Sequence, residues 1–199
     1  MTAKARKSRA KPSSPPAKPS SRATPSSRAT PSSRKKSSLP AKATLSHVGA
    51  RGAAQMVDVG AKLPTERRAR AAGEIRMTRA AWLAVRRNTI KKGDVLGVAR
   101  LAGIQAAKRT AELIPLCHPL ALSHVEITLT LVATPPTIRV EATVATVAPT
   151  GVEMEALTAV SVALLTVYDM VKSADKRMRI GAVRLLEKSG GRSGHFRAS

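Results

Sequence analysis

The chain has 199 residues, with 35 Lys and Arg against 12 Asp and Glu and a formal net charge of +23. That length suits one domain plus a tail or two small domains, and so basic a chain meets anions: nucleic acid, an acidic membrane surface or a phosphorylated small molecule. A single cysteine, Cys117, excludes a disulfide framework and a multi-thiolate metal site within one chain, and three aromatics (Trp82, Tyr168, Phe196) give few platforms for stacking single-stranded bases.

Residues 1–44 carry 12 basic residues and no acidic one; residues 45–199 carry the remaining +11. Within the first segment a hexapeptide recurs, Ser20-Ser21-Arg22-Ala23-Thr24-Pro25 and then Ser26-Ser27-Arg28-Ala29-Thr30-Pro31. A six-residue period with a proline in each unit fits neither helix nor sheet, and almost nothing apolar is available to bury. Conformational entropy predicts a disordered basic N-terminal tail over 1–44. A solvated leader, nonspecific salt-sensitive contacts with nucleic acid, and an organelle transit peptide all fit that composition.

From residue 45 the sequence reads as globular. Strands are expected near 55–59 and over 73–78, then a helix over 79–88. Lys92-Gly93-Asp94 opens a longer helix through about Leu113, which Pro115 and Pro119 end. Residues 123–132 alternate, with Val125, Ile127, Leu129 and Leu131 on one face. After the turn at Pro135-Pro136, residues 138–147 alternate likewise, as an antiparallel hairpin does. A second long helix runs from Thr150 to about Lys172, and a last strand over 179–187. Its most apolar stretch, 156–168, is too short to cross a bilayer and reads as buried helix. The order β-α-β-β-α-β is that of a ferredoxin-like α+β sandwich.

Four groups could carry chemistry. Asp169 and Lys172, three apart near the end of the second long helix, share a face. They read either as an ordinary helix-end ion pair or as an acid/base pair in which each sets the other's pKa. Glu153-Met154-Glu155 opens the same helix, where acidic residues also simply suit the dipole. A rise of about 1.5 Å per residue sets Glu155 roughly 21 Å from Asp169. One small ligand cannot span that on a single chain, so a site using both is shared between subunits. Leu116-Cys117-His118-Pro119 holds a histidine at a rigid break, suited to donating to phosphate or shuttling protons, or serving only structure. Cys117 has no base partner in sequence and reads as a small apolar residue. The fourth group is basic: Lys62, Arg67, Arg68, Lys91, Lys92, Lys108, Arg109, Lys188 and Arg192, with the glycine-rich run from Lys188 to Gly194 able to curl into an anion nest. Such a cluster also reads as a solvated face.

Read together, these segments resemble one family. Lys92-Gly93-Asp94-Val95, Ala102-Gly103-Ile104-Gln105-Ala106-Ala107-Lys108-Arg109-Thr110 and Leu113-Ile114-Pro115-Leu116-Cys117-His118-Pro119-Leu120 occur in its order. So do Thr150-Gly151-Val152-Glu153-Met154-Glu155, Tyr168-Asp169-Met170 with Lys172, and Lys188-Ser189-Gly190-Gly191. The chain from about Leu45 to Gly194 resembles the MoaC family of molybdenum cofactor biosynthesis; the tail lies outside the match.

The resemblance implies a cyclic pyranopterin monophosphate synthase, a phosphorus–oxygen lyase. Such an enzyme converts 3',8-cyclo-7,8-dihydro-GTP to cyclic pyranopterin monophosphate with release of pyrophosphate. It implies a cytoplasmic homohexamer, a trimer of dimers with sites at the dimer interface, and no metal, redox cofactor or membrane. Residue by residue, Asp169, Lys172, Lys92 and His118 match catalytic positions. Leu116, Cys117, His118, Met154 and Glu155 match substrate-binding positions, and Lys62, Arg67 and Lys188 match basic positions near the triphosphate. Pro149 departs from the family, many members of which carry Lys there. Two rivals remain at this point: a nucleic-acid-binding protein and a catalytically silent assembly subunit.

Overall fold

The computed structural model describes residues 53–199; the expectation for the tail over 1–44 falls outside them. The elements in order are β1 (Thr65–Arg76), α1 (Arg79–Arg86), α2 (Val95–Lys108), α3 (Thr110–Leu113), β2 (His124–Ala133), β3 (Pro136–Ala148), α4 (Glu153–Val171), β4 (Arg179–Ser189) and β5 (Phe196–Arg197). They form one antiparallel sheet ordered β2-β3-β1-β4-β5, with α2 and α4 layered on one face. The first four strands in that order, with the two long helices, make the expected ferredoxin-like α+β sandwich. The two-residue β5 is an addition too short to leave a periodic signal.

The core lies between sheet and helices. Ala69, Ala71 and Ile75 of β1 and Ile138, Val140, Ala142 and Val144 of β3 point into it, against Val160, Ala163, Leu164 and Val167 of α4. Each such Val, Leu or Ile side chain stabilises the fold by about 1.5–3 kcal/mol relative to exposure. Ten of the 19 residues of α4 are buried. Alone among the described elements, that helix has the length and apolarity of a membrane span; 56% of its apolar window is buried inside the fold, against the sheet and α2, while Leu165 stays exposed. The reverse face of the sheet is polar and carries Arg68, Arg70, Glu126, Thr128, Glu141 and Thr143.

Four expectations need correction. The first strand is not confined to 73–78: it starts at Thr65. Its inward residues before Ile75 are Ala69, Ala71 and Gly73, too small to give a strong alternation. They are small because α4 lies close: a Cβ on Gly73 would stand 2.8 Å from Leu164 Cδ1 and 2.9 Å from Val160 Cγ1. Residues 55–59 form no strand; Val57 and Val59 instead wall a cleft. The helix expected to run to Leu113 breaks at Arg109 into α2 and the single turn α3. The second long helix starts at Glu153 rather than Thr150, which leaves Thr150 and Gly151 in the cleft wall.

Local chemistry fixes the ends that matter. Asp94 caps α2, its carboxylate accepting from Gly97 N–H at 3.0 Å. That cap aims the preceding turn, with Lys92, back toward the end of α4. Bulges displace β4 against β1: Arg70 pairs with Glu187 while Ala71 pairs with Leu185, so Leu186 is the extra residue. Past that bulge, Lys188 lies beside Ala69 on the helix side of the sheet, and Glu187 beside Arg70 on the reverse side.

Candidate functional site

A cleft of about 650 Å³ opens at the N-terminal end of α4. One wall is the irregular segment with Val57, Val59 and Lys62; another is the loop Leu116-Cys117-His118; the floor is the first turn of α4 with Glu153, Met154 and Glu155. The loop sits there because the α3 turn is closed by Ile114 N–H to Thr110 O and by Cys117 N–H to Ile114 O. His118 Nε2 lies 2.8 Å from the Val57 carbonyl oxygen. A carbonyl only accepts, so Nε2 carries a proton, and Nδ1 is the ring nitrogen that this contact leaves free.

Glu155 is 4% exposed. Burial pushes its carboxyl above the ordinary glutamate range, with the neighbouring Glu153 charge adding to that and a backbone hydrogen bond opposing it. Burial and the Glu155 charge likewise push the Cys117 thiol up. Cys117 thus stands in the cleft wall as a thiol whose ionisation its surroundings disfavour.

Lys62 and Glu153 continue into a second, basic depression of about 290 Å³ that also takes in Arg67, Lys188, Arg192 and Ser193. Arg67 is held from two sides. Its guanidinium donates to the Ala148 and Pro149 carbonyls at 3.3 and 3.2 Å. The Gly190-Gly191 turn closes over it: a Cβ on Gly190 would strike the Glu66 carbonyl oxygen, and one on Gly191 the Arg67 guanidinium. Both glycines have positive φ, 95° and 74°, so these two positions require glycine twice over. Their open sides face Arg67 and its strand, a close approach that a side chain at either position would block. Lys188 Nζ donates to Ser193 Oγ at 2.6 Å and lies 3.4 Å from Glu153 Oε1. Lys108 and Arg109 line a third depression with His118 and Glu155, on the far side of the loop.

The third constellation is at the other end of α4. Asp169 Oδ1 meets Lys172 Nζ at 2.8 Å and Oδ2 meets Lys92 Nζ at 2.7 Å; Lys92 also donates to the Asp169 carbonyl at 2.9 Å. Those two hydrogen bonds, Lys172's first, hold the Asp169 carboxyl down at about 2. Lys172 is in turn raised above its ordinary 10.5 by the same contact. The three groups are about half exposed, so they face solvent as a carboxylate flanked by two ammonium groups.

The structure thus brings Leu116, Cys117, His118, Met154, Glu155 and Lys62 into one cleft, adds Arg67 and Lys188 beside it, and gathers Asp169, Lys172 and Lys92 separately. Within one chain it does not join the last group to the rest, because most of α4 lies between them. Sequence reasoning missed Val57 and Val59 as cleft walls and Ser193 as the Lys188 partner. Only the Met56-Val57-Asp58-Val59 alternation hinted at the former.

A sequence profile of the MoaC family matches residues 56–191. A cyclic pyranopterin monophosphate synthase of Methylobacterium sp. (strain 4-46) is 62% identical over 156 residues, 78% of this chain and 98% of the relative. Enzymes of the same name from Methylobacterium nodulans and Roseiflexus sp. (strain RS-1) are 61% and 57% identical over 155 and 152 residues. Those alignments cover 78% and 76% of this chain and 97% and 96% of the relatives.

Proposed function

The chain belongs to the MoaC family, and from that premise we propose how its side chains divide the work of the family's reaction. Its activity is that of a cyclic pyranopterin monophosphate synthase: 3',8-cyclo-7,8-dihydro-GTP is rearranged to cyclic pyranopterin monophosphate and pyrophosphate, a step of molybdenum cofactor biosynthesis.

The basic depression takes the triphosphate. Lys62, Arg67 and Lys188 supply fixed positive charge, and Arg67 is prepositioned by its two carbonyl partners. Closing the cyclic phosphate forms a bond from a substrate hydroxyl oxygen to the α-phosphorus and breaks the α–β anhydride. Negative charge grows on the departing pyrophosphate, where these cations stabilise it. The larger cleft takes the heterocycle. Leu116, Cys117 and Met154 give it apolar walls, Glu155 a buried carboxyl, and His118 Nδ1 a place for a proton.

Lys92 and Lys172, held in place by Asp169, supply protons during purine-ring opening and pterin formation. Asp169, held at about 2, is a carboxylate throughout the neutral range. The donors are therefore the two ammonium groups, and the carboxylate orients them and balances their charge. This refines the assignment of Asp169 as the acid/base residue itself.

The observation that carries the scheme is the length of α4. With Glu155 and Asp169 roughly 21 Å apart along it, the Asp169 cluster completes a cleft belonging to another subunit. That separation supports sites shared across a dimer interface, and the family resemblance implies that the dimers assemble further into a homohexamer, a trimer of dimers. The synthase domain is residues 45–199, and the enzyme acts in the cytoplasm.

Subunit complementation tests this. Glu155→Ala and Lys172→Ala are each inactive alone. Coexpressed, they form mixed dimers in which one of two sites keeps both residues, and about a quarter of wild-type turnover returns under random pairing. No recovery from verified mixed oligomers would overturn the shared site.

A further inference from the structure

The anion-binding side of the cleft depends on a turn that little backbone structure holds in place. Residues 190–194 carry Arg192 and Ser193, and their three glycines all have positive φ. Such a segment has unusual conformational freedom to lose. Beyond it, β5 pairs with β4 through only two residues, Glu187 with Arg197 and Lys188 with Phe196, with one more bond from Ala198 N–H to Leu186 O. A ladder that short is marginal by itself.

A side-chain contact closes the same loop. His195 Nε2 donates to Glu187 Oε1 at 2.9 Å, directly behind Lys188. Glu187 also faces Arg70 of β1 and Arg197 of β5, so its carboxylate is surrounded by partners and held below the ordinary glutamate range, the His195 hydrogen bond contributing most. On the front of the strand, Lys188 reaches Ser193 and Glu153. The turn is pinned at both ends, by Lys188–Ser193 in front and Glu187–His195 behind.

We infer that His195 is a positioning residue for the synthase reaction: by clamping Glu187 it holds the 190–194 turn closed over Arg67, and so sets the affinity for the substrate's triphosphate. His195 touches neither the cleft nor the Asp169 cluster. It acts through Lys188, Arg192 and Ser193, and this inference rests on the assignment of the basic depression to the triphosphate.

The test uses the full-length enzyme. His195→Ala raises KM for 3',8-cyclo-7,8-dihydro-GTP about fivefold, the effect of one lost hydrogen bond, and leaves kcat within about twofold. The inhibition constant of added inorganic pyrophosphate rises in the same proportion. His195→Gln, whose amide keeps a donor, recovers most of both. Unchanged KM and pyrophosphate inhibition in His195→Ala would overturn the clamp. So would a fall in kcat alone, or a loss of thermal stability that His195→Gln does not repair. Lys188→Ala separates the two readings. If it weakens pyrophosphate inhibition and His195→Ala does not, only the clamp fails; if Lys188→Ala leaves inhibition unchanged, the triphosphate assignment fails as well.

Discussion

Lys92 Nζ lies 2.7 Å from Asp169 Oδ2 across 77 residues of chain. With Lys172 at 2.8 Å on the other oxygen, one carboxylate holds two ammonium groups that would otherwise repel each other. The loop entering α2 and the last turn of α4 meet at this point, and the cluster's chemistry follows from the meeting.

Replacing Asp169 with Asn removes the charge and keeps the shape. Both lysines then lose their counter-ion and their alignment, and turnover should fall about 10³-fold, within the range for a positioned proton-transfer group. Asp169 is 57% exposed, and exposed ion pairs contribute little to folding, so Tm should move by less than about 2 °C. Undiminished turnover in a folded Asp169→Asn enzyme would refute the role.

The protonation of the cluster can be followed directly. The folded Asp169 pKa, at about 2, is depressed below its unfolded value. The pair's contribution is thus fully present above about pH 4 and is lost only as pH falls through the folded value. The Asp169 side-chain carboxyl ¹³C shift should stay flat from about pH 7 down to about pH 4. A midpoint near the free-aspartate value would mean that the lysines do not hold it.

Glu155 behaves oppositely. Burial raises its folded pKa above the unfolded value, so its contribution is best at low pH and is lost as pH rises through the folded value. Glu155→Gln should therefore be more stable than wild type at pH 8 in urea denaturation, with the difference shrinking toward pH 5. Its turnover should drop about tenfold or more, because the amide can no longer take up or release a proton in the cleft. A variant stabilised equally at both pH values would show that Glu155 is not the group paying a desolvation penalty.

Gly103 marks the closest approach of α2 to its neighbours. A Cβ there would run into Ile127 Cδ1 and stand 2.9 Å from the Ala159 carbonyl oxygen. Alanine's better helix propensity, worth about 1 kcal/mol, works against a backbone contact that cannot yield. Gly103→Ala should lose about 1–3 kcal/mol through overpacking, measured by chemical denaturation. A raised denaturation midpoint would show that the helices have room to separate.

Much of the architecture is visible in residue order. The β2–β3 hairpin is legible because large residues alternate with polar ones, Val125 to Leu131 against Glu126 to Thr130. The apolar body of α4 is legible because its neighbours cover it on several sides. β1 is only half legible, since its inward positions are Ala69, Ala71 and Gly73, and small residues give little amplitude. Val57 and Val59 alternate like a strand but face a cleft, because periodicity reports which side is apolar and not what covers it. The candidate residues were found by type and motif; their grouping was not, except that helical rise alone separated Glu155 from Asp169.

The sequence by itself determined the helix-and-strand order, the family signature from Lys92 to Gly191, the basic charge and the distance along α4. Tertiary structure decided that Lys92 reaches Asp169, that His118 leans on Val57, that Gly190-Gly191 closes on Arg67 and that His195 holds Glu187. Local patterns record the choice between burial and solvent within a few residues. Contacts across tens of residues arise only when β1 inserts between β3 and β4 and the helices pack on one face. That assembly places side chains together for reasons of shape and charge that no short stretch of chain contains.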